Sequence, residues 1–317
     1  MLDPLAVVPP DSRLITATTK AGIDYFERRY HGKTFDSPDA IDPIDPIDPN
    51  DLMLASVGGR VSRRLGLSDP GLNISAACAS GTLAVGKASA LISSGLAESI
   101  VVVCVDIVSE FALSGFFALK ALSPAPCRPF DKHRQGLSLG EGAAAVVLMS
   151  EECAIRHNRQ RLGRIAGWGA ANDATHMTAP DRNGKGLIQA IHQALKVADL
   201  SPDDIHAVNA HGTGTIYNDQ MELTALSAVF GRRPLGVFAI KGAIGHTLGA
   251  AGGIETVIGL ESLLRRIIPP TVGFETPEDG ADTWVSAISR QMKGSYLLST
   301  NSGFGGVNGA LIIGAAP

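Results

Sequence analysis

From residue 73 onward the chain alternates between two kinds of apolar segment. Short β-branched runs, of which residues 100–105 (IVVVCV) are the clearest, show no polar alternation and predict strands covered on both faces. Between them lie longer segments whose small and apolar residues recur at helical spacing. In order, the pattern predicts strands over 73–77, 100–105, 143–149, 164–169, 205–209, 236–240, 296–300 and 309–314. Helices are predicted over 78–96, 186–200, 219–230 and 249–266. The first of these is small and apolar almost all round, as in a helix buried on every side. Before residue 51 the pattern is weaker. One helix is predicted over 23–30, and no opening strand stands out. Residues 41–49 repeat Ile-Asp-Pro three times; a proline at every third position removes backbone donors and blocks a helix, which predicts an extended surface loop. Strands alternating with helices, mixed with hairpins, predict an α/β layered fold.

Composition narrows the class. The 317 residues are 45% hydrophobic and 18% charged, enough for a large core and incompatible with dominant disorder. A net charge of −4 without a long basic run gives no support for nucleic-acid binding. No apolar run approaches the ~20 residues of a membrane span, and the first ten residues lack a signal-peptide pattern. Four cysteines without a CxxC pair are not a disulfide framework, so a reducing cytoplasm is the expected compartment.

Four segments carry candidate chemistry, each at a strand end or a glycine-rich turn, where open α/β sheets place ligands. In Ser75-Ala76-Ala77-Cys78-Ala79-Ser80-Gly81 a cysteine follows a strand and opens a buried helix. Helix N-termini carry free N–H groups and partial positive charge, which can lower a thiol pKa or hold an oxyanion. A small buried hydrophobe is an equally good reading of that cysteine alone. Asn209-Ala210-His211-Gly212-Thr213-Gly214-Thr215 places a histidine at a strand end before a permissive loop. Residues 241–252 (KGAIGHTLGAAG) repeat the arrangement with His246, in the next strand–turn–helix unit; neighbouring strands would bring the two histidines together. Residues 301–308 (NSGFGGVN) surround Phe304 with glycines, a backbone loop able to donate N–H groups. No HExxH, Cys–His cluster or carboxylate lies at zinc-ligand spacing, so no metal is expected. A thiol, two histidines and a glycine-rich loop at strand ends fit covalent thioester chemistry.

The ordered set resembles the β-ketoacyl-[acyl carrier protein] synthases, specifically the elongating Cys-His-His ketosynthases of the thiolase superfamily. It comprises SAACASG, PCRPFD (126–131), GEGA (140–143), NDATHMT (172–178), AHGTGT with Asn218-Asp219, KGAIGHTLGAAG and GFGGVN (303–308), and runs from about residue 51 to the end. The resemblance implies a thiolase-like α/β fold: two related halves, 1–152 with the nucleophile and 153–317 with the histidines, in five αβαβα layers. It implies that Cys78 takes an acyl chain from the phosphopantetheine of an acyl carrier protein, with no bound cofactor. His211 and His246 would assist decarboxylation of a malonyl thioester, and Lys241, paired with Glu255, would order the site. The N–H groups of Cys78 and Phe304 would form the oxyanion hole, with Phe304 gating the acyl pocket. Thr213 and Thr215 would touch the pantetheine arm; Asp173 and His176 belong to a second mobile substrate loop; Asp131 and Glu141 match structural positions. A homodimer, or a heterodimer with another ketosynthase-like subunit, would form through residues 73–76. Only 77 residues precede Cys78, fewer than the resemblance implies, and loss of the opening strand would leave an exposed sheet edge.

Other readings stay in view. A non-catalytic chain-length partner normally loses the nucleophile, which is present here. A degradative thiolase would want a Cys-x-Gly motif near the C-terminus, and none follows Cys153. An acyltransferase or thioesterase could use Cys78 without decarboxylation, but the two histidines argue against it. A Cys–His protease is remote. Cys104 reads as core, Cys127 as structural and Cys153 as without a role; His31, His133, His157, His192 and His206 carry no motif.

Overall fold

The computed structural model describes residues 8–31 and 53–316; the Ile-Asp-Pro repeat lies outside them. In chain order the elements of the first part are β1 (Arg13–Ala17), α1 (Ile23–Tyr30), α2 (Leu54–Leu65), β2 (Leu72–Ile74), α3 (Ser80–Ser93), β3 (Ser99–Asp106), α4 (Glu110–Ala118), β4 (Gly142–Met149) and α5 (Glu151–Arg156). Then follow β5 (Gly163–Asn172), α6 (Lys185–Ala198), β6 (Ile205–Asn209), α7 (Ile216–Phe230), β7 (Gly236–Phe238), α8 (Lys241–Ile244), α9 (Ala251–Arg265), β8 (Ile267–Ile268), β9 (Arg290–Gln291), β10 (Tyr296–Gly303) and β11 (Val307–Ala315).

One sheet has the order β2-β1-β3-β4 and a second the order β5-β11-β10-β6-β7. Between the sheets lie α3 and α9, each packed against strands of both. On the outer faces, α2 covers β1 and β2, while α6 covers β5 and β11 and packs beside α7. The result is five αβαβα layers. The layers close because the middle helices carry almost no side chain where they cross. A Cβ on Gly252 would stand 2.1 Å from the Thr82 nitrogen, and one on Gly81 would stand 2.7 Å from the Gly253 nitrogen. Around that crossing, Ile15 and Ala17 of the first sheet, Ala84, Val85 and Ala88 of α3, and Leu311 of the second sheet form one buried cluster.

An opening strand is present, contrary to the sequence expectation. β1 lies inside the first sheet, parallel to both β2 and β3, so among the described residues the edges of that sheet are β2 and β4. It escaped pattern reading because it is five residues long and Leu14, Ile15, Thr16 and Ala17 are all buried; a strand covered on both faces shows no alternation. Helices α2 and α4 were also unforeseen. β7 stops at Phe238, because residue 241 already begins α8. No helix among the described residues is long and apolar enough to cross a membrane.

Candidate active site

Three turns converge at the same end of the sheets. The chain leaves β2 and reaches Cys78 two residues before α3 begins. Ala77 holds a left-handed φ of 48°, an unfavourable state for a residue with a Cβ. Ser80 stabilises that turn: its hydroxyl donates to the Ala77 carbonyl at 2.6 Å and accepts the Ala76 N–H at 2.8 Å. His211 lies two residues beyond the end of β6, and His246 follows α8, which is entered from the parallel neighbour β7. The backbone of His246 is pinned to a passing segment, with its N–H on the Ser138 carbonyl at 2.7 Å and its carbonyl accepting the Gly140 N–H at 3.0 Å. Only glycine fits at residue 140, where a Cβ would stand 2.1 Å from the Ile244 carbonyl oxygen.

His246 Nε2 stands 2.9 Å from Cys78 Sγ, and the His211 and His246 rings meet edge to face with centroids 5.1 Å apart. All three residues are buried at the base of a cavity of about 340 Å³. Lys241, also buried, sits behind His211. Its ammonium donates to the His211 carbonyl at 2.6 Å and to Glu255 Oε1 at 2.5 Å, and lies 3.3 Å from His211 Nδ1. Asn301 donates to Glu255 Oε2 at 2.5 Å, and its amide nitrogen is 3.3 Å from the same Nδ1. An ammonium nitrogen can only donate. His211 Nδ1 is therefore the acceptor, and its proton sits on Nε2.

Electrostatics follow from burial. Desolvation, then the Lys241 charge, then His246 hold His211 well below 6.5; desolvation with Lys241 and Lys20 does the same for His246. Both rings are neutral at neutral pH. For Cys78 the expectation of a lowered thiol is corrected: burial outweighs the nearby lysines and pushes it up to about 11. Burial also raises Glu255, despite its contact with Lys241.

The remaining residues singled out from sequence fall as follows. The Phe304 backbone N–H lies near the Cys78 sulfur and favours its thiolate form. Gly303 permits that approach, since a Cβ there would stand 3.2 Å from the Cys78 nitrogen. The Phe304 ring lies 5.5 Å from that of Phe116 in the cavity wall. Thr213 and Thr215 line the same cavity with hydroxyls 2.9 Å apart. Asp173 lines it too and accepts from Asn308 at 2.8 Å and from the Asp181 N–H at 3.0 Å, tying the two loops together. His176 is not in the cavity wall; its Nδ1 accepts the Thr178 and Ala179 N–H groups and shapes its own turn. Asp131 is buried and accepts the Glu275 and Thr276 N–H groups, each at 2.7 Å; these bonds outweigh desolvation and lower its pKa. Glu141 accepts the Val108 N–H at the surface.

Sequence reasoning missed three supports. Glu222 on α7 is buried and accepts the His211 and Gly212 N–H groups at 2.7 and 2.6 Å; burial and the neighbouring Asp219 raise it to about 7. Asn301 was inside a noted motif but carried no role. Asp106, at the end of the IVVVCV strand, accepts from Thr18, Thr19 and the Gly249 N–H and pairs with Lys20 at 3.2 Å. An acid closing a run of β-branched residues was the available signal.

A buried thiol, two neutral histidines and a lysine–carboxylate brace thus share one cavity, and comparison with known proteins shows which family carries them. Residues 19–154 match the family described as beta-ketoacyl synthase, N-terminal domain, and residues 162–275 match beta-ketoacyl synthase, C-terminal domain. The chain is 34% identical over 302 residues to 3-oxoacyl-[acyl-carrier-protein] synthase 2 of Coxiella burnetii, covering 92% of this chain and 72% of that protein. It is 35% identical over 268 residues to the tetracenomycin polyketide synthase ketoacyl synthase alpha subunit of Streptomyces glaucescens, covering 81% and 63%. Among solved structures, the ishigamide ketosynthase/chain length factor superposes with a TM-score of 0.85 at 28% identity, covering 98% of this chain and 77% of that one. A type II polyketide ketosynthase complexed with its acyl-carrier protein (AntDE:AntF) gives 0.86 at 26% identity, covering 100% and 81%. The chain belongs to the β-ketoacyl synthase family, with the thiolase-like fold. It spans 63% of the Streptomyces relative's length and 72% of the Coxiella relative's.

Proposed function

We propose that the chain catalyses decarboxylative Claisen condensation of an acyl thioester with malonyl-[acyl carrier protein], releasing CO2 and giving a 3-oxoacyl chain two carbons longer. The observation that carries this is Cys78 Sγ 2.9 Å from His246 Nε2, with a second neutral imidazole against the first at the base of one cavity.

In the first half-reaction the Cys78 sulfur attacks the acyl thioester carbonyl. A thiol raised to about 11 cannot ionise by itself at neutral pH, so its proton passes to His246 Nε2 and then to the departing carrier thiol. In this reading the N–H groups of Cys78 and Phe304 hold the tetrahedral oxyanion. In the second half-reaction the malonyl carboxylate leaves as CO2, and its bonding electrons become an enolate. The Nε2–H of His211, fixed in that tautomer by Lys241 and Asn301, donates to the enolate oxygen, and His246 faces the same space. Neutral donors suit this task because an imidazolium would quench the carbanion. The carbanion then attacks the Cys78 thioester and the sulfur leaves. Burial of all three residues keeps water from the acyl-enzyme.

The apolar side chains Phe116, Leu119, Met177 and Phe304 in the cavity wall suit an acyl chain, and Thr213 and Thr215 offer hydroxyls to a pantetheine arm. The relatives' names support acyl carrier protein as the donor and a second ketosynthase-like subunit, identical or not, as partner. The four cysteines are free thiols, which fits a reducing cytoplasm. Substitution separates this reading from a simple acyltransferase. His211→Ala should still form acyl-Cys78 but lose malonyl decarboxylation. Decarboxylation at the wild-type rate in that variant would refute the role given to His211.

A further inference from the structure

We propose that Lys20 and Asp106 form a second charged brace on the reaction centre: Asp106 positions the turn that carries His246, and Lys20 cancels the charge that Asp106 sets against the developing Cys78 thiolate. The assignment rests on the thioester chemistry proposed above, in which the Cys78 sulfur must become negative. Neither residue belongs to the cavity wall, so both act through others. The register of the first sheet brings them together. Ala17 of β1 lies beside Cys104 of β3, so residues 18–20, just past β1, run beside Asp106 at the end of β3. Asp106 is buried, and the Lys20 side chain is only 7% exposed.

Five donors converge on the Asp106 carboxylate. The Thr18 hydroxyl reaches one oxygen at 2.9 Å, and the Lys20 ammonium lies 3.2 Å from it. The Thr19 hydroxyl and the Gly249 N–H each reach the other oxygen at 2.7 Å, and the Thr19 N–H lies 3.2 and 3.3 Å from the two. A carboxylate, with two acceptor oxygens and no donor, takes all of them. The Gly249 bond bears most directly on the site. Gly249 follows His246 by three residues, across Leu248 with its left-handed φ of 55°, and a Cβ on Gly249 would stand 2.7 Å from the same carboxylate oxygen. Asp106 thus ties the turn between His246 and α9 to the ends of β1 and β3. That hold brings a negative charge to the wrong place, since a buried carboxylate disfavours a thiolate nearby. Burial is the largest influence on the Cys78 thiol; Lys241 then lowers it, Asp106 raises it and Lys20 lowers it. Lys20 also helps keep His246 neutral, after burial and Lys241. The remaining titratable groups around the sulfur are His246 at 2.9 Å, His211 against that ring, Glu222 and Glu255 behind His211, and Asp173 in the cavity wall.

The test is the rate at which iodoacetamide alkylates Cys78 in the whole chain, read by peptide mass spectrometry from pH 7 to 10. Below the thiol pKa that rate follows the thiolate fraction. Lys20→Met leaves Asp106 uncompensated and should slow labelling at pH 8 by about threefold or more. Lys20→Gln keeps a donor to the carboxylate without the charge and should slow it likewise, whereas Lys20→Arg should keep the wild-type rate. Asp106→Asn removes the opposing charge and should speed labelling by a similar factor. The double variant Lys20→Met with Asp106→Asn should return close to wild type. A merely structural brace would change both single variants in the same direction, because loosening the turn exposes the thiol whichever partner is lost. Thermal melting establishes that each variant is folded. Should neither neutral Lys20 variant fold alone, the double variant should still label more slowly than Asp106→Asn by the same factor. Changes of the same sign in Lys20→Met and Asp106→Asn, a wild-type rate in folded Lys20→Gln, or a double variant as fast as Asp106→Asn would each overturn the proposal. None of these readouts requires carrier protein or condensation, so failure of the catalytic reading and failure of this brace are separate results.

Discussion

Lys241 offers the sharpest test of how the site is held together. It is buried, and its ammonium bridges the His211 carbonyl and the Glu255 carboxylate. Asn301 reaches the second oxygen of the same carboxylate. In Lys241→Met the apolar stem is nearly conserved, but Glu255 is left buried without its cation. Removing one partner of a buried pair costs about 3–5 kcal/mol. Much of that cost is the stranded charge itself, so adding Glu255→Gln should restore most of it. The two substitutions should therefore be strongly non-additive, with the double variant no less stable than Lys241→Met alone. Urea unfolding followed by the fluorescence of Trp168 and Trp284 supplies the three differences. Activity should not recover with stability, because His211 Nδ1 has lost the ammonium that fixes its tautomer. Strict additivity of the two stability losses, or recovery of condensation in the double variant, would refute this account of the brace.

Other consequences are equally direct. A Cys78 thiol pushed up from 9.0 to about 11 is about 0.1% thiolate at pH 8, against about 10% for an unperturbed one. Its alkylation should rise about tenfold per pH unit from pH 7 to 10 without levelling; a plateau near pH 7 would show that burial does not govern the thiol. Gly252→Ala would drive a methyl group into the Thr82 backbone and displace the Thr82 hydroxyl from Asn301, which it meets at 2.8 Å. Overpacking of this kind costs about 1–3 kcal/mol, so the melting temperature should fall together with the yield of 3-oxoacyl product. An unchanged melting temperature would show that the middle helices are free to separate.

Most of the second sheet was legible because its strands are bounded by glycine-rich turns, and β6 was predicted to the residue. The two histidines were legible as a pair because each ends the same kind of unit on adjacent parallel strands. The first sheet was harder to read. β1 and β2 are five and three residues long, too short for periodicity to register, and α4 is apolar on its exposed side as well, with Phe111 and Phe117 mostly solvent-facing. The supports of the site were invisible for another reason. Glu222, Asn301 and Asp106 act through backbone N–H groups and side chains distant in sequence, and a charged residue in a helix or at a strand end gives no sign of being buried. The direction of the thiol shift was misread because the helix N-terminus is visible in sequence and the depth of burial is not.

The central claim is that Cys78 carries an acyl group and then surrenders it to a decarboxylated malonyl unit. Intact-protein mass spectrometry tests it in two additions: acyl carrier protein charged with a mid-length acyl chain, then malonyl carrier protein. The account predicts an acyl mass on Cys78 after the first addition and its disappearance, with 3-oxoacyl carrier protein formed, after the second. Acylation that persists after malonyl carrier protein is added, or a folded protein that takes no acyl group at several chain lengths, would contradict it.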